Sequence, residues 1–364
     1  MKTAEPSFVP QWASPPGATI STILRQKGMS TIEFAKAMSL SSVEVDALLA
    51  GRSRISVGMA RGLTQLLGGT VGFWITRDGQ FREDAARLEA HRAVAALPIS
   101  DMVAFGWIQK PAGWLDQTEA VFRFFDVSDL DAWRANYFRT ITGVRLRASK
   151  SRPPSERSLA VWLRQAEKQA HEVKSQPWDP SKFHDVLEDA KALTRVRNPA
   201  KFIPEIQRLC ASVGVAVVVV RAPSGCAISG ATRLLADDLR FIGLTARHLT
   251  DDHMWFTFFH EAAHLLLHPS RDAFVDELSD ATSDPTEREA DNFAAGILLS
   301  ESGRQKVQMV SLNMRSIMRL ARELRIAPGI IVGQLQFQQR LGHGSGLNHL
   351  KRRYRWTDAS LEMA

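Results

Sequence analysis

The stretch FFHEAAHLLLH, residues 258–268, sets three histidines four apart and puts a glutamate directly after the first. An α-helix turns once in about 3.6 residues, so positions i and i+4 lie one turn apart and nearly in line. On a helix, His260 and His264 aim their imidazoles at a single point, and Glu261 emerges beside them. A cation held by the imidazoles would have a water within reach of Glu261, which need not bind the cation itself. This is the mechanical content of H-E-x-x-H, and it points to metal-assisted hydrolysis with Glu261 as general base. Three fixed residues are equally compatible with a core helix whose histidines are satisfied elsewhere. Phe258, Phe259, Ala262, Ala263, Leu265, Leu266 and Leu267 make the helix a buried one on either reading. Unpartnered imidazoles there would carry a desolvation cost that a metal removes.

A third ligand has to come from another element. DPTEREADNFAAGILLS, residues 284–300, reads as a second helix with carboxylates on one side. Glu287 and Asp291 stand one turn apart on it, while Ala290, Phe293, Ala294, Ile297 and Leu298 make the face that packs on the first helix. His268 extends the histidine row by one turn, either as an extra or substrate-side ligand or as a surface histidine near the helix end, the latter being the expectation. His248 and His253 are candidates for stabilising an oxyanion, and Tyr137 and Tyr354, the only tyrosines, are not placed by the sequence.

Two strands precede these helices. GVAVVVVRAPSGCAISG is a β-type apolar run ending in a Pro/Gly turn, and LRFIGLTAR is a further strand. The strand near 240–246 is a candidate for holding an extended peptide by edge pairing.

FTFFHEAAHLLLH followed by EREADNFAAGILLS resembles the ImmA/IrrE family of bacterial zinc metallopeptidases. GVAVVVV and FIGLTAR before it and LARELRIAPGIIVGQLQ after it fit the same family. The resemblance implies a zincin-like domain with a small β-sheet over 201–345, Zn2+ as cofactor, His260, His264 and Glu287 as zinc ligands and Glu261 as general base. Asp291 is then the residue that orients a ligand imidazole. Glu289 is the rival third ligand; E-x-x-x-D, the spacing of related gluzincin-type sites, favours Glu287.

The N-terminal part is a run of short helices. TISTILRQKGMS is one, stopped by Gly28; STIEFAKAMSL starts at Ser30 with Glu33 three residues on, a capping-box spacing. SSVEVDALLAGRS is a third, capped by Ser41 or Ser42 and ended by Gly51, and SVGMARGLTQLLGG a fourth with Val57, Ala60, Leu63 and Leu67 on one face. Ile32, Ala35, Val43, Val45 and Leu48 would lock the second and third helices together as a helix-turn-helix. GMSTIEFAKAMSLSSVEVDALLAGRSRISVGMARGLTQLLGGTVGFW resembles the Xre/Cro-type helix-turn-helix family, and most of all HigA-like antitoxins with their following Phe-Trp, here Phe73-Trp74. The resemblance implies operator DNA as a partner, with Ser42, Val43 and Glu44 facing base edges and Thr31, Arg52 and Arg54 meeting phosphates. Glu44 and Asp46 depart from this pattern, because the recognition helix then has no basic residue. Residues 1–80 carry eight Lys/Arg against five Asp/Glu, a modest excess, so a homodimer is the expected way to bind DNA firmly.

The remainder is organised around these parts. The expected architecture is α+β and mostly helical: a flexible 1–15, a five-helix helix-turn-helix domain at 16–92, a helical middle region at 93–200, the zincin-like domain, and a basic tail at 346–364. AVFRFFDVSDLDAWRANYF and SLAVWLRQAEKQAHEV are amphipathic helical segments of the middle region, and RLRASKSRPPSER is an expected exposed linker between them. LNHLKRRYRW is read as a solvated basic tail.

At 364 residues the chain is long enough for two or three domains, and 45% hydrophobic with 23% charged residues is ordinary for a globular protein. Two isolated cysteines argue against a disulfide framework, no apolar run approaches the ~20 residues of a membrane span, and no signal-peptide layout opens the chain, so the expectation is cytoplasmic. A net charge of +7 suits a nucleic-acid partner without requiring one. Two functions follow as expectations. One is a DNA-binding regulator fused to a zinc endopeptidase that cuts a repressor or antitoxin in a stress or phage response. The other is a HigA-like regulator whose peptidase fold only senses or binds a partner.

Overall fold

The computed structural model describes residues 10–141, 145–148, 155–235, 238–268, 285–358 and 360–364. Most of the expected flexible N-terminus, 1–9, and residues 149–154 of the expected linker lie outside them. The protein is α+β and mostly helical, and the chain divides into two compact units: Met1–Ala95 with Pro111–Glu119, and Ala96–Lys110 with Ala120–Ala364.

Helices α1 (Pro16–Gln26), α2 (Thr31–Met38), α3 (Ser42–Leu49), α4 (Val57–Leu67) and α5 (Val71–Ala95) belong to the first unit. The start signal at Ser30 acts as expected, and of the two candidates Ser41 and Ser42 it is Ser41 that caps the next helix, with Glu44 completing a second box. Ser30 and Ser41 each accept from the amide three residues on, and Glu33 and Glu44 reach back to the cap amides at 2.8 Å, so both helices begin with a full capping box. Phe34, Val45, Leu48, Ala60, Leu63, Leu67 and Trp74 fill the core. Three residues expected in it are not there: Ile32 is 80% exposed, Val43 74% and Val57 54%. Helical residues two positions apart differ by about 200° around the axis, so once Phe34 and Val45 point inward, Ile32 and Val43 must point out.

The second unit begins with α6 (Ile99–Ala104). The boundary between the units falls inside α7 (Trp114–Phe125), which is followed by α8 (Leu130–Ile141), β1 (Arg145–Ala148), α9 (Glu156–Glu172), α10 (Pro180–Leu193) and α11 (Pro199–Ala211). Strands β2 (Val215–Val219), β3 (Ile228–Leu234) and β4 (Arg240–Leu244) come next, then α12 (Asp251–Leu267), α13 (Pro285–Leu298), α14 (Glu301–Met309), α15 (Met314–Leu324) and α16 (Pro328–Phe337). A 3-10 turn at Gly346–Leu350 leads to the hairpin of β5 (Tyr354–Thr357) and β6 (Ser360–Met363).

The four-stranded sheet runs β1-β3-β4-β2, with β3 antiparallel to β1 and β4, and β4 parallel to β2. Both faces are covered, which is why VAVVV reads as a continuous apolar run. Ala216 and Val218 meet Trp162 and Leu163 of α9, while Val215 and Val217 join Phe258 and Phe259 of α12 in the larger core. α12 is therefore buried almost all round, with Met254, Trp255, Phe258, Phe259, Ala262 and Ala263 at most 6% exposed.

Four expectations are corrected here. The expected linker contributes a strand, β1, and α9 starts within it at Glu156. Strand β4 is interior, hydrogen-bonded on both sides, so it has no free edge for a peptide. Strand β3, whose first three residues end the stretch read as a Pro/Gly turn, pairs with both β1 and β4. The expected basic tail folds back on the core, burying Tyr354 and Leu361. Two of its charges have partners in the core: Lys351 Nζ is 2.5 Å from Asp252, and Arg352 donates to the carbonyls of Thr194 and Val196. Among the described residues no helix is long and apolar enough to cross a membrane.

Candidate metal centre

The centre is built where α12 crosses α13. On α12 the side chains of His260 and His264 are 1% and 2% exposed, and their Nε2 atoms stand 3.1 Å apart. Glu287, in the first turn of α13, brings Oε2 to 3.1 Å from His260 Nε2 and Oε1 to 3.3 Å from His264 Nε2. One ligand atom from each of the three lies within 4.8 Å of the others. Ala290 and Ala294, fully buried one and two turns on, let the two helices come this close.

The donors fit a metal. His260 Nδ1 lies 2.8 Å from Asp291 Oδ1, so the ring's proton belongs on Nδ1, donated to that carboxylate, and the Nε2 lone pair is turned into the cluster. There it meets a second imidazole nitrogen and a carboxylate, a gathering of lone pairs that a divalent cation would bind together. Burial pushes the Glu287 carboxyl upward, but with the imidazoles of His260 and His264 protonated, their hydrogen bonds and charge overcome it and hold the group well below the ordinary carboxylate range. A Glu287 that stays ionised is the form a metal requires.

Glu261 is 1% exposed and points toward β3, where Thr232 Oγ1 donates to its carboxylate at 2.9 Å and to its backbone carbonyl at 3.0 Å. Gly230, two residues before Thr232, leaves the room: a Cβ there would stand 2.7 Å from Thr257 and 2.8 Å from Glu261 Oε1. Sequence reasoning missed both residues: Gly230 closes the stretch read as a Pro/Gly turn, and Thr232 lies beyond it in residues given no reading.

The other candidates sort differently. Glu289, the rival ligand, is 3.2 Å from His268 Nε2 and outside the three-residue cluster. The His268 side chain is only 7% exposed, its ring 5.4 Å from that of His264, so it is no surface histidine. His248 and His253 stack on each other at 4.1 Å, beside a cavity that Asp291 also lines. Tyr354 packs on Phe202 in the larger core, and Tyr137 on Trp133. In the first unit Thr31, Ser42, Val43, Glu44, Arg52 and Arg54 are all exposed, the Glu44 carboxylate being held by Ser41.

Residues 216–332 match the Peptidase_M78 family, described as the IrrE N-terminal-like domain. The match runs from β2 into α16 and contains His260, Glu261, His264, Glu287 and Asp291, so this part of the chain resembles a metallopeptidase-related domain. No curated protein and no solved structure matches the chain.

Proposed function

We propose that the chain is a zinc-dependent endopeptidase joined to a helix-turn-helix DNA reader, acting in the cytoplasm on a repressor or antitoxin-type protein. The observation that carries the hydrolase half is the convergence of His260, His264 and Glu287 with Glu261 beside them. Three protein ligands with room for a fourth is the pattern of a catalytic rather than a structural zinc. When bound, zinc would polarise the scissile carbonyl and make water acidic enough to attack near neutral pH. Glu261 takes the proton from the attacking water and gives it to the leaving amine, with Thr232 holding its carboxylate in place. Asp291 fixes the His260 ring, and the buried apolar faces of α12 keep competing water out.

The DNA-reading half is supported by two box-capped helices, α2 and α3, with Ser42 and Val43 exposed on the second and Arg52 and Arg54 exposed beyond its end. The acidic recognition helix makes a homodimer the form that would bind an operator firmly.

The test is metal analysis of the purified full-length protein together with cleavage assays on the products of neighbouring genes. Glu261→Gln is expected to abolish cleavage while zinc content and operator binding persist. Cellular phenotypes that all survive this change would instead establish a regulator whose peptidase fold only senses or binds a partner.

A further inference from the structure

A cavity of about 410 Å³ lies beside the candidate metal centre, within the range of small-ligand sites. It is contiguous with the centre at two points. Asp291 lines it and also holds His260 Nδ1. Ser229 lines it and directly precedes Gly230, the residue that abuts Glu261. Phe256, Leu298 and Ile330 give it an apolar wall.

The lining carries two cations, Arg247 and Lys351, and two carboxylates, Asp252 and Asp291. Lys351 is paired with Asp252, and Asp291 faces His260. Arg247 is different: half-buried on the lining, it gives one hydrogen bond to the Ala227 carbonyl at 2.7 Å, and no carboxylate of the described residues lies within ion-pair distance of it. A guanidinium offers five N–H donors in a rigid fork. Partial burial without a counter-ion is costly, and a carboxylate arriving from outside removes that cost through charge-assisted, bidentate hydrogen bonds. The rings of His248 and His253 border the same space and add donors.

We infer that this cavity is a carboxylate-binding subsite, in which Arg247 receives an acidic group of the polypeptide while the apolar wall takes its methylenes. The inference rests on the peptidase reading for the identity of its ligand as a polypeptide. A chain anchored there has its adjacent bonds beside Glu261 and the histidine pair, so the subsite selects substrates by acidity near the cut. The carboxylate has two sources, an Asp or Glu side chain or a free chain terminus.

The test measures binding without cleavage. The full chain carrying Glu261→Gln and 13C-labelled histidine is titrated with three probes: N-acetylglutamate α-amide, with only a side-chain carboxylate; N-acetylglutamine, with only a terminal one; and N-acetylglutamine amide, with none. Ring signals of His248 and His253 report occupancy. At least one acid is expected to bind about tenfold more tightly than the neutral amide, equivalent to about 1.4 kcal/mol, and the better acid names the source. Arg247→Gln should erase the preference, whereas Arg247→Lys, which keeps the charge and loses the fork, should retain part of it. Equal binding of all three probes, a preference that survives Arg247→Gln, or an Arg247→Lys protein that loses nothing overturns the subsite. Because no bond is cut, this result is independent of whether Glu261 proves catalytic.

Discussion

The Asp291 carboxylate holds His260 Nδ1 at 2.8 Å, from one full helical turn beyond Glu287 on the same helix. One element thus supplies both a candidate ligand and the group that orients another. Carboxylates of this kind set the tautomer and aim of a ligand ring, and their loss costs 10–100-fold in metal affinity. Asp291→Ala is accordingly expected to weaken zinc binding by about that factor, read by competition with a chelator, while the helical circular dichroism stays native. An unchanged zinc affinity would show that packing alone fixes the ring.

Gly230 bears on the other half of the chemistry. Because an added Cβ meets Thr257 and Glu261 within 3 Å, Gly230→Ala must move the Glu261 side chain. A displacement near 1 Å costs about 10²-fold in catalysis. The variant should therefore retain stoichiometric zinc and lose roughly that much kcat, with little change in KM. Full activity in a folded Gly230→Ala protein would mean that Glu261 is not held where the general base must act.

How far the sequence reached depends on how local each signal is. The capping box at Ser30, the cap at Ser41 or Ser42, the HExxH spacing and E-x-x-x-D are written within single helices, and the helices form where those signals stand. Val215–Val219 announced itself because both faces of its strand are buried. Strand β3 did not, since a Gly and a Thr occupy the positions facing α12, where bulk would displace Glu261. The fate of LNHLKRRYRW was likewise hidden: its basic residues read as a solvated run until Asp251 and Asp252, a hundred residues earlier, are seen to need partners. The cavity beside the candidate metal centre draws on β3, α12, α13, α16 and the C-terminal segment, and no spacing along the chain encodes it.

Asp251, at the start of α12, gives the stability a pH dependence. Burial raises its carboxyl from 3.8 to about 7, and the Asp252 charge adds to the rise against the lowering influence of Arg352. The folded state then binds a proton that the unfolded chain has already released. The stabilisation from that proton is complete below about 3.8 and is lost as pH rises through about 7. Urea midpoints measured across this window should fall more steeply for the wild type than for Asp251→Asn, whose neutral side chain has no proton to lose. Parallel curves for the two proteins would show that Arg352 keeps Asp251 ionised throughout.

For the first unit the sharpest expectation concerns salt. Arg52 and Arg54 are exposed and sit just after α3, where a helix laid in the major groove would bring them to the phosphates. Each phosphate contact contributes about 0.9 to the slope of log affinity against log salt. Arg52→Ala and Arg54→Ala should each weaken binding to every DNA sequence alike and reduce the magnitude of that slope by about 1. Val43→Asp, at an exposed position of α3, is instead expected to penalise the operator more than random DNA, because the added charge would face base edges and not one phosphate. Footprinting and fluorescence anisotropy over a range of salt separate the two patterns. If the slopes of the arginine variants match the wild type, these helices meet a protein and not DNA.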